Sequence, residues 1–348
     1  MSAGGSRAPL WPEESAVADG LDPVAVTVDV DGVPMSALVA SVAAPRAVIV
    51  ALHGGAVTSS YYDSRTLPGL SLLRTGAALG FTVIALDRPG YGASARYGRG
   101  LGGADRGGQI DRMATVAERV DLGYAAIDAL LAGRERGAGV FLMAHSMGCV
   151  LAIQLAADPR GAGLLGLEIA GIGLRPHSVA RTFMASLTAG PAASGDGTAP
   201  SGVDRGNLHE ILWTPPHLYP DGAEAALALS ASPRYEGSDV RGLADAFPGL
   251  AARVRIPVRY SLGDHEQVWS NGPAALASIA ALFTGSPRVV TAEPAQAGHN
   301  LSLGRSALAY HLSVLSFADE CALGREFSRT ANLAQLPKLA NSASSDGD

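Results

Sequence analysis

The serine at position 146 interrupts an apolar run in the stretch GVFLMAHSMGCVLAIQLA, residues 139–156. Residues 139–144 predict a buried strand, and the differently spaced apolar residues after the serine predict a helix, so the hydroxyl falls at the turn between them. Ala144 and Gly148 flank that turn with small side chains, which a close approach of strand and helix requires. The pattern is typical of a nucleophile elbow and predicts that Ser146 is a nucleophile. A buried serine bonded only to backbone is disfavoured, because all parts of the elbow occur together.

Two backbone N–H groups are candidates for stabilising a negative oxygen beside this serine. The N–H of Met147 is expected at the amino-terminal end of the predicted helix, where the helix dipole is positive. A second donor is expected from LHGGAVTSSYYD, residues 52–63, which follows a predicted parallel strand. Gly55, or alternatively Ala56, would supply that donor, since glycine tolerates a backbone that presents its N–H to a cavity.

A serine nucleophile needs a base, and the base needs a carboxylate that orients it. His299 suits the base, because AEPAQAGHNLSL places it in a loop just after the predicted strand 288–293. His311 falls within the following predicted helix and is interpreted as structural. The stretch VRYSLGDHEQVW offers two carboxylates after the preceding strand, Asp264 and Glu266, and the residues alone leave both open.

The remaining histidines and the cysteines do not predict a metal or cofactor site. His53 and His145 are interpreted as structural hydrogen-bonding residues. The two cysteines have no metal-ligand spacing, and no His-Glu-x-x-His motif occurs, so Asp264-His265-Glu266 is not expected to hold a metal. The only lysine, Lys338, lies in a polar tail, which excludes Schiff-base and P-loop chemistry.

Charge and hydropathy exclude two further kinds of partner. The formal net charge is −6 with no long basic run, so a nucleic-acid partner is not expected. The first twenty residues lack the apolar centre of a secretory signal, and no apolar run is long enough to span a bilayer. A cytoplasmic protein without membrane contact is therefore expected.

Strand and helix patterns alternate along most of the chain, which predicts an α/β fold with a mostly parallel central sheet and helices on both faces. An Asp-Gly turn joins residues 24–30 and 34–41 into a predicted hairpin. Further strands are predicted at 46–55, where two glycines end the run, and at 81–87, 139–144, 163–171, 256–262 and 288–293. Helices are predicted at 66–79, 114–132, 148–157, 273–284 and 302–319.

The alternation stops between residues 172 and 254, where helical patches are predicted at 177–188, 222–230 and 238–253. Helices inserted between two sheet strands predict a cap over the carboxyl ends of the strands, where open α/β sheets bind ligands. The predicted division is a core of 21–171 and 255–321, this cap of 172–254, and disordered ends at 1–20 and 322–348. The polar loop 189–204 has no assigned role.

Over residues 24–171 and 255–319 the chain resembles the α/β-hydrolase superfamily. LHGGAVTSSYYD and LDRPGYGAS (86–94) are similar to stretches shared by esterases, C–C-bond hydrolases, haloalkane dehalogenases and epoxide hydrolases. The last two groups use an aspartate at the elbow, so Ser146 points to an acyl-enzyme instead. The resemblance favours the acid three residues after the glycine, Glu266, over Asp264. Ala144 departs from the glycine that is usual in the family, and glutamate from its usual aspartate.

The resemblance implies a serine hydrolase that acts on an ester, thioester or lactone without a cofactor. Its expected partner is a moderately large, apolar small-molecule acyl substrate, with Tyr61, Tyr62 and Trp269 near the pocket floor. Two alternatives use the same residues: acyl transfer, elimination or cyclisation on a biosynthetic intermediate, and non-catalytic ligand binding on a hydrolase scaffold. Oligomeric state is not determined by the sequence.

Overall fold

The strands of the molecule come from both halves of the chain. The computed structural model describes residues 22–64, 66–98, 115–188 and 205–334. The predicted end 1–20 and the loop 189–204 lie outside these residues. The strands are β1 (Val24–Val30), β2 (Val33–Ala40), β3 (Val48–Leu52), β4 (Thr82–Leu86), β5 (Val140–His145), β6 (Gly166–Ala170), β7 (Val258–Ser261) and β8 (Val289–Ala292).

These strands form one sheet in the order β1-β2-β4-β3-β5-β6-β7-β8. The hairpin of β1 and β2 is antiparallel and joins β4 in antiparallel register. All other neighbouring pairs are parallel. The predicted α/β class with a mostly parallel sheet is therefore confirmed, and the carboxyl ends of β3, β5, β6, β7 and β8 lie at one edge.

Helices cover both faces of this sheet. They are α1 (Leu72–Ala78), α2 (Ala95–Gly98), α3 (Val116–Leu130), α4 (Gly148–Ala157), α5 (Arg181–Thr188), α6 (Arg205–Leu212), α7 (Tyr235–Ala251), α8 (Pro273–Ala280) and α9 (Ala307–Ala334). No helix among the described residues combines the length and apolar character needed to cross a bilayer.

Alternate residues of the central strands face two separate hydrophobic cores. Val48, Val50 and Leu52 of β3 pack with the core that includes α3 and α4. Ile49 and Ala51 of the same strand face the core that includes α1 and α9. Every residue of β3 is buried, which explains its continuous apolar sequence, because a strand covered on both faces needs no polar alternation.

Two sequence predictions outside the sheet are wrong. Residues 222–230 form turns instead of a helix, since Leu229 bridges Val57 and so draws the chain away from a helical path. The last helix continues beyond residue 321 to Ala334, because its later residues still contact the core: Ala322 is buried and Arg325 Nη2 donates to the carbonyl of Leu164 at 2.8 Å. Residues 335–348 lie outside the described part.

Candidate active site

Ser146 occupies a sharp turn between the end of β5 and the start of α4. Its φ angle is 50°, a left-handed conformation that is costly for a residue with a side chain. The Ser146 N–H donates to the Ala170 carbonyl on the neighbouring strand β6 at 2.8 Å, which ties the turn to the sheet. A Cβ at Gly148 would lie 2.3 Å from the Leu52 carbonyl oxygen, so only glycine fits there. This is the elbow geometry that the sequence pattern predicts.

His299 lies between the serine hydroxyl and a carboxylate. Its Nε2 is 3.2 Å from Ser146 Oγ, and its Nδ1 is 2.9 Å from each carboxylate oxygen of Glu266. The carboxylate fixes the proton on Nδ1, which leaves Nε2 free to accept the hydroxyl proton. His299 and Glu266 are 2% and 1% exposed, so solvent does not compete for these hydrogen bonds.

The two candidate carboxylates have different contacts. Glu266 Oε1 also accepts hydrogen bonds from the N–H groups of Val268 at 2.7 Å and Trp269 at 3.4 Å, which hold the side chain toward His299. Asp264 instead accepts from the N–H groups of Gln296 and Ala297, both at 3.0 Å. Asp264 therefore fastens the loop that carries His299 and does not itself contact the imidazole.

Of the two alternative donors after β3, the N–H of Ala56 is already occupied. It donates to the hydroxyl of Tyr91 at 3.1 Å. Gly55 donates no hydrogen bond to any part of the chain that the structure describes. A Cβ at Gly55 would lie 3.4 Å from Met147 Cγ, so Gly55 and Met147, the two predicted donors, are neighbours across the elbow. The contacts favour Gly55 over Ala56.

The carbonyl of Gly54 is held by two donors, and it belongs to the same peptide unit as the Gly55 N–H. Arg88 Nη2 and His53 Nδ1 each lie 2.8 Å from this oxygen. The His53 ring carries its proton on Nδ1, because Nε2 accepts from the Arg88 N–H at 3.1 Å. A charged donor on the carbonyl polarises the peptide and strengthens its N–H as a donor.

Arg88 was not singled out from the sequence, although a charged residue directly after a buried strand is a usable signal. It is 2% exposed and pairs with Glu236 of α7 at 2.6 Å. Burial is the largest single influence and acts to lower the pKa of the Arg88 guanidinium, but the charge and hydrogen bond of Glu236 together with Tyr91 and Tyr235 outweigh it, and the net effect is a raised pKa. Arg88 therefore remains charged beside Gly54. His53 is the structural hydrogen-bonding residue that the sequence analysis expects.

His145 supports the base from behind. Its Nε2 donates to the backbone carbonyl of His299 at 2.9 Å, and its ring stacks on Tyr61 with centroids 4.5 Å apart. Burial, and next the neighbouring His299, lower the pKa of His145 well below 6.5, so the ring is neutral. His145 is thus a structural hydrogen-bonding residue.

The three aromatic residues predicted at the pocket floor differ in their exposure. Tyr62 is 0% exposed and donates its hydroxyl hydrogen to the Leu52 carbonyl at 3.1 Å, and Tyr61 is 2% exposed beneath His145. Tyr62 therefore presents no surface to a ligand, whereas the predicted substrate contact of Tyr61 stays a prediction. Trp269 is 8% exposed beside Glu266 and keeps some accessible surface.

The insertion, residues 172–254, contacts three of the loops that carry candidate site residues. The N–H of Ser230 donates to the carbonyl of Ala56 at 2.9 Å, next to Gly55. The carbonyl of Leu218 accepts from Arg305 at 2.7 Å, in the segment that follows His299. The N–H of His177 donates to the carbonyl of Val268 at 3.0 Å, next to the Glu266 loop.

A metal site is not formed by the described residues, since nowhere among them do three His, Cys, Asp or Glu side chains come together as metal ligands would. The chemistry available to this arrangement is that of a hydroxyl, an imidazole, a carboxylate and two N–H donors. Such a set can activate a serine and stabilise a negative oxygen.

The sequence matches the model of the alpha/beta hydrolase family over residues 49–310. No curated protein matches the sequence. The coverage of the family model includes the elbow serine, both carboxylates and the histidine.

Several solved structures are similar to this chain. A carboxyl esterase from Bacillus coagulans has a TM-score of 0.58 at 19% identity, covering 86% of this chain and 99% of its own. An epoxide hydrolase from Vigna radiata has a TM-score of 0.53 at 17% identity, and the match covers 86% of this chain and 98% of the epoxide hydrolase chain. An esterase from M. tuberculosis has a TM-score of 0.51 at 16% identity, and the match covers 86% of this chain and 93% of the esterase chain. These similarities establish the fold.

Proposed function

The chain belongs to the alpha/beta hydrolase family, and we propose that it is a serine hydrolase that cleaves a carboxylic ester, thioester or lactone. The observation that carries the proposal is the unbroken hydrogen-bonded series from Ser146 Oγ through His299 to the Glu266 carboxylate. The esterase names of two similar structures agree with it. The epoxide hydrolase among them shows why fold alone does not decide the reaction.

In the proposed first step, Ser146 Oγ attacks the carbonyl carbon of the substrate while His299 Nε2 takes its proton. The carbonyl electron pair moves onto oxygen, and the N–H groups of Met147 and Gly55 stabilise the resulting oxyanion. Glu266 stabilises the imidazolium that forms. When the tetrahedral intermediate collapses, the bond to the leaving alcohol or thiol breaks, and His299 returns the proton to it.

In the second step the acyl group is released from the serine. His299 Nε2 takes a proton from a water molecule, whose oxygen attacks the acyl carbon, and the oxyanion is held by the same two N–H groups. Collapse of this intermediate breaks the bond to Ser146 Oγ, which recovers its proton from His299. The insertion around the site would form the substrate-covering cap. No contact of the described residues favours acyl transfer, elimination or plain binding over hydrolysis.

The proposal is tested by intact mass after treatment with a fluorophosphonate, which reacts with activated serines. We expect one adduct on the wild type and none on Ser146→Ala. Ser278→Ala is the matched control, since Ser278 lies exposed on α8, and this variant should label like the wild type. Hydrolysis of p-nitrophenyl esters should fall by about 10³-fold or more in Ser146→Ala. Equal labelling of wild type and Ser146→Ala would disprove the assignment.

A further inference from the structure

Glu236, on helix α7 of the insertion, has one carboxylate oxygen bound and the other without a hydrogen-bond partner among the described residues. The residue is 6% exposed. Its Oε1 accepts from Arg88 Nη2 at 2.6 Å. Its Oε2 accepts no hydrogen bond from any residue that the structure describes.

The unpartnered oxygen lies near Gly55, beside the side chain of Met147. A Cβ built on Gly55 would lie 3.4 Å from Glu236 Oε2 and 3.4 Å from Met147 Cγ. Oε2 therefore lies next to one of the two residues whose N–H groups are the proposed oxyanion donors, and so near the place where the proposed mechanism binds the substrate carbonyl. The charged group that faces Glu236 is Arg88, whose guanidinium also lies 4.7 Å from the ring centroid of Tyr91.

A carboxylate oxygen in this position selects a particular kind of ligand group. Glu236 keeps a small exposed surface, so a ligand that fills the adjacent space takes the place of water at Oε2. A ligand that supplies a donor there avoids the desolvation penalty that a ligand without one incurs. An ionised carboxylate can only accept hydrogen bonds, so the complementary ligand group must carry a donor, of which a hydroxyl and an ammonium are the simplest. The positive charge of Arg88 balances the negative charge of Glu236. The pair therefore adds no net negative charge near a developing oxyanion.

We propose that Glu236 Oε2 accepts a hydrogen bond from a hydroxyl or ammonium group on the acyl chain of the substrate, close to the scissile carbonyl. Glu236 is then a specificity residue, and the substrates are hydroxyacyl or aminoacyl esters or thioesters. This inference rests on the proposed function. It narrows the apolar substrate expected from the sequence to one with a polar donor near its carbonyl.

The test compares p-nitrophenyl butanoate with the corresponding esters that carry a hydroxyl or an amino group at C2 or C3. For the wild type, kcat/KM should be about tenfold or more higher for at least one donor-bearing ester than for butanoate. A gain with hydroxyl esters alone identifies a hydroxyacyl substrate, and a gain with amino esters alone identifies an aminoacyl substrate. Equal kcat/KM values for all these esters would overturn the inference.

The variant Glu236→Gln tests whether Glu236 causes the preference. The amide oxygen would keep the contact with Arg88, which turns the amide NH₂ toward the pocket and replaces an acceptor with a donor. We expect the preference for donor-bearing esters to fall to about one or below. Asp239→Asn is the matched control: it lies one turn along α7, pairs with Arg119 at 2.9 Å, and should retain the preference. An unchanged preference in Glu236→Gln would overturn the inference.

A binding readout separates this inference from the proposed function. In the wild type, butanamides carrying a hydroxyl or amino group at C2 or C3 compete with the fluorophosphonate for Ser146. At least one of them should slow labelling about tenfold more than butanamide does. If all these amides slow labelling equally, the role of Glu236 is contradicted, but the serine hydrolase proposal is not. Absence of labelling and of ester hydrolysis counts against the serine hydrolase itself.

Discussion

The carboxylates Asp264 and Glu266 are two residues apart, and we expect their substitution to have different effects. Glu266→Gln leaves the shape of the side chain intact but removes the charge that would orient and stabilise the His299 imidazolium. We expect kcat to fall by about 10³- to 10⁴-fold with little change in the melting temperature. Asp264→Asn weakens two backbone hydrogen bonds and should lower the free energy of unfolding by about 1–2 kcal/mol.

Steady-state kinetics on p-nitrophenyl esters and thermal unfolding of both variants make this comparison. The two variants are each other's control, since one should affect chemistry and the other stability. A larger fall in kcat for Asp264→Asn than for Glu266→Gln would reverse the assignment of the acid.

At the scale of the elements, helix α4 approaches the end of strand β3 so closely that no side chain fits between them. A Cβ at Gly148 would lie 2.3 Å from the Leu52 carbonyl oxygen and 2.6 Å from that of His53. Both atoms are backbone and cannot move without shifting the strand that leads to Gly55. We expect Gly148→Ala to cost about 3 kcal/mol or more and to abolish fluorophosphonate labelling.

The control for this variant is a glycine in open space. Gly242 is exposed on α7, and a Cβ there would meet nothing within 4 Å. Gly242→Ala should raise the free energy of unfolding by about 0.5–1 kcal/mol, because alanine loses less backbone entropy in a helix. Urea unfolding of both variants measures the difference, and a stable, labelled Gly148→Ala protein would contradict the steric argument.

At the scale of the whole molecule, three buried neutral histidines make the fold sensitive to acid. Burial lowers the pKa of His311 to about 3, and the pKa values of His53 and His145 are also well below 6.5. In the unfolded chain these three imidazoles become protonated as the pH falls through 6.5, whereas in the folded chain they stay neutral. Each histidine therefore makes the free energy of unfolding fall by about 1.4 kcal/mol per pH unit in that range.

His311→Leu isolates one of these contributions, because both ring nitrogens of His311 lack a hydrogen-bond partner in the described part of the chain. Between about pH 5.5 and pH 4.5, the variant should lose about 1.4 kcal/mol less stability than the wild type. Buried carboxyls with a raised pKa, such as Glu168, act in the opposite direction but equally in both proteins. His217→Leu, at an exposed position, is the control, and parallel pH profiles for all three proteins would contradict the prediction.

The sequence by itself determined the features that depend on near neighbours. The alternation of strands and helices, the hairpin turn, the small residues around Ser146 and the loop position of His299 are all legible from periodicity and turn chemistry. Such patterns reflect which faces of an element are buried, and each residue contributes to them locally. The helix predicted at 222–230 failed because a distant loop, through Val57, paired with that segment.

Only the tertiary structure decided which groups meet across long stretches of chain. It brought Glu266 rather than Asp264 to the imidazole, gave the Ala56 N–H to the hydroxyl of Tyr91, and buried Tyr61 beneath His145. It also joined Arg88 to Glu236, which are 148 positions apart. These pairings depend on how whole elements pack, and packing geometry is set by the sum of many contacts that no local pattern records.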